Sequence, residues 1–116
     1  MGMERSRLAM FFVVVLALVA VATAESRTID LAIRDGQLPN DQRLLRVRQG
    51  DEVTLRFTTD QPFALHLHGY DIEAKLVPGA PVSMRLTARA TGRFPIGIHD
   101  ARGEERTVGY LEVHPR

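Results

Sequence analysis

The stretch GRFPIGIH, residues 92–99, decides the fold that we predict for this chain. Its apolar residues alternate with other residues up to a histidine, which is the period of a β-strand with one buried face. A polar segment, DARGEER (100–106), follows directly, and GYLEV (109–113) then resumes the apolar pattern. These three segments predict two strands joined by an exposed loop, and such loops often carry functional sites.

The preceding part of the chain shows the same period of two. Turn signals such as Asp35-Gly36, Gln49-Gly50-Asp51 and Asp60-Gln61-Pro62 separate its apolar runs. The strand beginning at Phe63 can run on after Gly69 as far as Ile72. The alternating apolar residues are Ile29, Leu31, Ile33, Leu45, Val47, Val53, Leu55, Phe57, Phe63, Leu65, Leu67, Val82, Met84 and Leu86. Seven or eight short strands with little helix predict an all-β fold, a Greek-key sandwich or small barrel.

The start of the chain has the features of a secretory signal peptide. A basic beginning, an apolar run and a small-x-small cleavage site occur at Arg5 and Arg7, residues 8–21 and Ala22-Thr23-Ala24. We expect cleavage after Ala24, which divides the 116 residues into a signal peptide (1–24) and one exported domain (25–116), periplasmic or secreted. The alternative is an uncleaved membrane anchor, although the apolar run is short for a span of about 20 residues.

Composition excludes several classes of function. The chain contains no cysteine, so disulfides cannot support this small domain, and its formal net charge is only +1. Arg43, Arg46 and Arg48 are interpreted as a solvated strand face, and no basic stripe with interleaved aromatics indicates nucleic-acid binding. No nucleophile with a base, phosphate loop or paired carboxylates indicates an enzyme.

The histidines are the candidate functional residues, and all of them lie in the second half of the chain, at 66, 68, 99 and 114. His66 and His68 are two residues apart on a predicted strand, so they leave the same face about 6.5–7 Å apart at their bases. Two imidazoles at that separation can converge on one ion, although a solvated strand face explains the same pattern. His99 ends an apolar strand beside Asp100, and His114 is interpreted as a surface residue.

The segment from Phe63 to Val113 resembles the cupredoxin family, to which plastocyanin belongs. In that family a first histidine is followed five residues later by an aspartate, as His66 is by Asp71. A Gly-aromatic-x-Cys-x-x-His segment comes later, and residues 92–99 resemble it with Ile96 in the cysteine position. A closing Gly-x-hydrophobic-x-Val strand is similar to residues 109–113, and by this spacing the axial methionine falls at about Thr107.

This resemblance implies a cupredoxin-like sandwich that retains two of the four copper ligands, His66 and His99. Blue copper and its fast electron transfer depend on a thiolate bond to the metal, and Ile96 cannot supply one. A type 1 electron carrier is therefore excluded. His68 adds a third imidazole, and Asp100, Glu104, Glu105 or water can complete a nitrogen and oxygen shell for Cu(II) or, less readily, zinc.

Three hypotheses follow from these patterns. The first is an exported, non-blue metal-binding or carrier module that uses His66, His68 and His99 at one end of the sandwich. The second is a metal-free structural or protein-interaction domain of the cell envelope. The third and weakest is an enzyme. The first two differ in whether the three imidazoles point to one place.

Overall fold

The structure, a computed structural model, describes residue 2, residues 10–18 and residues 23–116. Within these residues eight strands follow one another, with one short 3-10 helix at Asn40–Gln42. The strands are β1 (Ser26–Ile33), β2 (Leu44–Arg48), β3 (Glu52–Thr59), β4 (Phe63–Leu67), β5 (Ile72–Leu76), β6 (Val82–Thr87), β7 (Gly92–His99) and β8 (Glu105–His114).

The strands form two sheets that face each other as a sandwich. One sheet has three strands in the order β1-β3-β6, and the other has five in the order β2-β8-β7-β4-β5. β1 pairs with β3 and β2 with β8 in parallel, whereas the remaining pairs are antiparallel. The predicted all-β sandwich is confirmed.

The core lies between the sheets and consists of the apolar residues whose alternation marked the strands. The three-stranded sheet contributes, among others, Leu31, Leu55 and Phe57, and the five-stranded sheet Leu65, Leu67, Ile96, Ile98 and Leu111. Each of these side chains is at most 1% exposed. Burial of alternate residues leaves the intervening side chains on the outer faces, which is where polar residues collect.

The hairpin between β4 and β5 differs from the prediction. The strand does not run on after Gly69, because the chain reverses there and β5 pairs back onto β4. Gly69 and Asp71 have φ values of 83° and 54°, in the left-handed region that interrupts a strand. The ring of Phe94 also packs against Gly69, where a Cβ would collide with it. This reversal makes β5 an edge of the five-stranded sheet.

The predicted signal peptide falls largely outside the described residues, which leave out residues 1, 3–9 and 19–22. Residues 10–18 form neither helix nor strand, and β1 begins at Ser26, just after the predicted cleavage site. Among the described residues no helix is long and apolar enough to cross a membrane. Their strands and core side chains all come after Glu25, so residues 25–116 contain the complete folded unit that the structure describes.

We expect Phe57→Ala to lower the free energy of unfolding by about 3–5 kcal/mol, because the ring is fully buried between the sheets and its loss leaves a cavity. Urea unfolding followed by circular dichroism measures the change. The matched control is Thr58→Ala, since Thr58 is exposed on the same strand, and we expect it to cost less than about 0.5 kcal/mol. Equal losses for the two variants would contradict the assignment of the core.

Candidate metal centre

β4 places the first candidate ligand on the outer face of the five-stranded sheet. Phe63, Leu65 and Leu67 are buried, so the alternation along the strand turns Ala64 and His66 away from the core. His68 follows the end of β4, and its ring centroid lies 4.1 Å from that of His66. The two imidazole rings therefore lie side by side.

The hairpin of β7 and β8 brings two further candidate ligands to the same face. His99 is paired with Ala64 of β4 on one side and with Glu105 of β8 on the other. Directly paired residues of an antiparallel sheet project from the same face, so His99 and Glu105 join His66 there. The ring centroids of His66 and His99 are 6.5 Å apart.

The turn between β7 and β8 separates the three acidic residues that the sequence offered as a further ligand. Asp100 Oδ1 accepts hydrogen bonds from the backbone N–H groups of Arg102 (2.9 Å) and Glu104 (3.1 Å). Asp100 therefore holds the turn and is not turned toward the histidines. Of these three acidic residues, Glu105, the first residue of β8, is the one that reaches the histidines.

The donor atoms of His66, His99 and Glu105 all lie within 4.8 Å of one another. His99 Nε2 is 3.8 Å from Glu105 Oε1. Neighbouring donors on a tetrahedral ion with bonds of about 2.1 Å are about 3.4 Å apart, so these side chains need only small rotations to bind one ion. Two imidazole nitrogens and a carboxylate oxygen are donors that suit Cu(II) and Zn(II).

His68 holds the carboxylate of this group. Its Nε2 lies 2.5 Å from Glu105 Oε1. This hydrogen bond is the main cause that lowers the pKa of Glu105 below its ordinary value; partial desolvation opposes it, and the nearby imidazoles of His68, His99 and His66 add to it. Glu105 is therefore ionised at neutral pH, in the form that binds a cation.

Gly97 is the residue between these side chains that leaves room for them. It is paired with His66 of β4 and Thr107 of β8, beside a bulge at Ile96 and Gly97. A Cβ at Gly97 would collide with the carboxylate of Glu105. Gly97 is not among the residues with positive φ, so its backbone does not require glycine. The absence of a side chain instead leaves space for the carboxylate of Glu105 in its observed position.

Two more carboxylates lie beside His66: that of Asp71, which matched the cupredoxin spacing but was not a candidate ligand, and that of Glu73, which was not singled out. Asp71 Oδ1 and Glu73 Oε1 are each 3.9 Å from His66 Nε2. Glu73 is paired with His66 across the β4–β5 hairpin. If the sequence prediction had reversed the chain at Gly69, it would have placed Glu73 opposite His66.

The structure places Ile96 in the core. His66 and His99 lie on strands, with their side chains on the outer face of the five-stranded sheet, and His68 lies in the turn that follows β4. Ile96 is paired with Leu67, is 1% exposed and belongs to the core. A thiolate at position 96 would therefore face away from His66. Thr107, at the expected methionine position, is exposed beside Gly97.

The remaining predicted surface features lie apart from this cluster. His114 Nε2 is 2.6 Å from Glu112 Oε1, and Arg93 also donates to Glu112 (3.0 Å). Arg46 is exposed on β2, as predicted, with its Nε 3.6 Å from Glu112 Oε1. Arg43 differs from the prediction because it precedes β2 and donates from Nε to the carbonyl of Leu38 (3.1 Å).

Solved structures that share this fold include several copper proteins. A copper binding protein in the apo form matches with a TM-score of 0.63 at 14% identity, over 77% of this chain and 88% of that chain. A chain of a heme-copper terminal oxidase dimer matches with a TM-score of 0.61 at 16% identity, over 76% of this chain and 65% of that chain. A multicopper oxidase matches with a TM-score of 0.60 at 19% identity, over 78% of this chain and 42% of that chain.

These likenesses show that the protein has a cupredoxin-like fold. At such identities they show the fold alone. This chain spans about two thirds of the heme-copper oxidase chain and two fifths of the multicopper oxidase chain. No protein family and no curated protein matches the sequence.

The buried position of Ile96 determines where a cysteine at this position would point. We expect Ile96→Cys to give no blue absorption when Cu(II) is added, because the thiol would point into the core, on the other face of the sheet from His66. Visible absorption and the copper hyperfine splitting in electron paramagnetic resonance measure the outcome. A blue, thiolate-bound copper in this variant would show that β7 faces the opposite way.

Proposed function

We propose that this protein is an exported, cupredoxin-like module that binds Cu(II) through His66, His99 and Glu105. The observation that carries the proposal is the convergence of these three donors within 4.8 Å on one sheet face. The similarity of the fold to that of copper proteins supports copper as the metal.

The donor set determines the chemistry of the proposed site. Imidazole and carboxylate ligands favour Cu(II) over zinc at equal geometry, and they give no thiolate to produce a blue centre. Electron transfer of the type 1 kind is therefore not the function. His68, through its bond to Glu105, orients a ligand in the way that outer hydrogen-bond partners do at many metal sites.

The exposure of the ligands favours a carrier or buffer over a structural metal site. The side chains of His66, His99 and Glu105 are 21%, 34% and 37% exposed, so an ion held by them stays accessible from solvent. Structural metal sites are closed by their protein ligands, and catalytic ones keep an open position within a cavity shaped for a substrate. We therefore propose binding and exchange of the ion and assign no catalytic residue.

The role of His68 in the proposed site differs from the role predicted from the sequence. The sequence made His68 a direct ligand, whereas the geometry favours Glu105 as the third ligand and His68 as its support. Removal of a direct ligand should therefore weaken metal binding more than removal of the residue that supports the ligand. Outer partners typically change metal affinity by about 10–100-fold.

We expect the chain from Glu25 onward to take up one Cu(II) at pH 7.5, with nitrogen ligation in its spin-resonance spectrum. His66→Ala and His99→Ala remove direct ligands and should weaken binding by more than about 100-fold, whereas His68→Ala should weaken it by about 10–100-fold. Isothermal titration calorimetry with Cu(II) under weak competition by glycine measures the affinities.

The matched control is His114→Ala, because His114 is a half-exposed histidine that bonds to Glu112 away from the site. This variant should bind as the wild type does. Equal and weak uptake by all five proteins would contradict the proposed function and favour the alternative, a metal-free structural or protein-interaction domain. Equal affinity of the wild type and His68→Ala would contradict only the supporting role of His68.

We expect Gly97→Ala to weaken Cu(II) binding by at least about tenfold, because the added methyl group displaces the carboxylate of Glu105. The same titration measures this effect, and thermal unfolding checks that the variant is folded. Thr107→Ala is the control, since Thr107 is the exposed partner of Gly97 on β8 and its truncation fills no space. Unchanged affinity in Gly97→Ala would rule out Glu105 as a ligand in this position.

A further inference from the structure

A second cluster of charged groups surrounds a buried carboxylate in the turn between β2 and β3, outside the group formed by His66, His99 and Glu105. Asp51, in the turn between β2 and β3, is 1% exposed and is the only charged residue that is buried among the described residues. Its Oδ2 accepts the backbone N–H of Arg48 (3.0 Å), and its Oδ1 accepts the backbone N–H of Glu25 (3.2 Å). The guanidinium of Arg116 also bonds to Oδ1.

These contacts keep Asp51 ionised. Burial alone would raise the pKa of Asp51, but the N–H donors of Arg48 and Glu25 and the charge of Arg116 together hold it below the ordinary value. A buried carboxylate is stable only when charged or hydrogen-bonded partners compensate for its lost hydration. The carboxylate of Asp51 therefore places a fixed negative charge beside Glu25.

Glu25 is the residue at which the chain enters the fold. Its carbonyl accepts the N–H of Glu52 (2.9 Å), and its own N–H points at Asp51. Ala24, directly before it, is exposed and lies outside any strand. The carbonyl of Thr23 is bonded to Arg116 (2.8 Å). The Ala24–Glu25 peptide bond therefore joins an exposed segment to a residue whose nitrogen is already held by a carboxylate.

We propose that Asp51 is a built-in receptor for the α-ammonium group that cleavage after Ala24 creates on Glu25. The proposal depends on the predicted cleavage and is independent of the metal site. A signal peptidase hydrolyses the Ala24–Glu25 bond with one water; Ala24 keeps the new carboxylate, and the amine of Glu25 takes up a proton. A neutral N–H donor to Asp51 is thus replaced by a cation in the same place.

This replacement stabilises the processed protein relative to its precursor. A charge-assisted bond from an ammonium to a carboxylate is about twice as strong as a neutral N–H bond. The carboxylate also raises the pKa of the amine above its reference range of about 7.7–8.0. The added stability is therefore complete below about pH 8 and is lost as the pH rises through the raised pKa of the folded state.

The other charged groups near this nitrogen are few. Arg116 shares Oδ1 of Asp51 and lowers the pKa of the amine by its positive charge. The carboxylate of Glu52 is turned to the hydroxyl of Thr87 (2.8 Å), and Arg48 contributes its backbone N–H. The side-chain carboxylate of Glu25 is exposed. Among the described residues, Asp51 is the one buried anion in contact with the backbone nitrogen of Glu25.

The test compares residues 25–116 with a free Glu25 amine and the same protein acetylated at that amine, which keeps an N–H donor but removes the charge. Residues 25–116 contain every described strand and core residue. Nuclear magnetic resonance of a sample labelled with 15N at Glu25 gives the pKa of the amine. We expect a value at least one unit above about 8, and a midpoint of thermal unfolding about 5 °C higher for the free amine at pH 7.

Two variants assign the effect to Asp51. Asp51→Asn should return the pKa of the amine to about 7.7–8.0 and abolish the difference between the free and acetylated proteins. Should Asp51→Asn fail to fold, the carboxyl 13C signal of Asp51 in the wild type decides instead, because it should shift with the midpoint of the Glu25 amine only if the two groups are in contact. Lys75→Gln, which removes an exposed charge on β5, is the control and should leave the pKa of the amine unchanged.

An ordinary pKa of the amine in the wild type, or equal unfolding midpoints for the free and acetylated proteins, would overturn the proposal. A mass measurement of the protein exported from living cells tests its other premise. An exported chain that starts at Glu25 supports the proposal, and one that starts at any other residue overturns it. Neither result changes the outcome of the copper titrations, so the two proposals fail separately.

Discussion

The constraint on which the rest of the site depends is the alternation of side chains along β4. Leu65 and Leu67 must enter the core, and the same pleat then turns His66 outward. A slip of one residue would bury His66 and expose the leucines, so the burial of β4 fixes the face of the histidine. Pairing of β7 with β4 places Gly97 beside His66, and pairing of β8 with β7 adds Glu105.

This arrangement differs from the blue-copper site of the family that the sequence resembles. The cupredoxins that the sequence resembles hold copper with a cysteine thiolate. The position that matches this cysteine is here Ile96, a residue of the core. The candidate donors lie instead on the outer face of the five-stranded sheet, where three hydrogen-bonded strands fix their positions. The hydrogen-bonded sheet fixes the geometry of these donors, and the open face leaves them accessible to solvent.

Much of the fold was predictable because it depends on local patterns. The period of two marked most of the strands and the core face of each one. The predicted placement of His66 and His68 on the same face follows from the same period. The β4–β5 reversal was missed because Gly69 was compatible with both a turn and a continued strand. Consequently Glu73, which that reversal places opposite His66, was missed as well.

The sequence by itself determined an all-β chain with a defined core, no thiolate for copper, and histidines on strands that expose them. These properties follow from residue type and period, which act over a few neighbours. Only the tertiary structure decided that His99 and Glu105 meet His66, that Glu105 and not Asp100 turns toward them, and that Gly97 leaves the space. These are matters of strand order and register between residues far apart in the chain, and no local pattern encodes them.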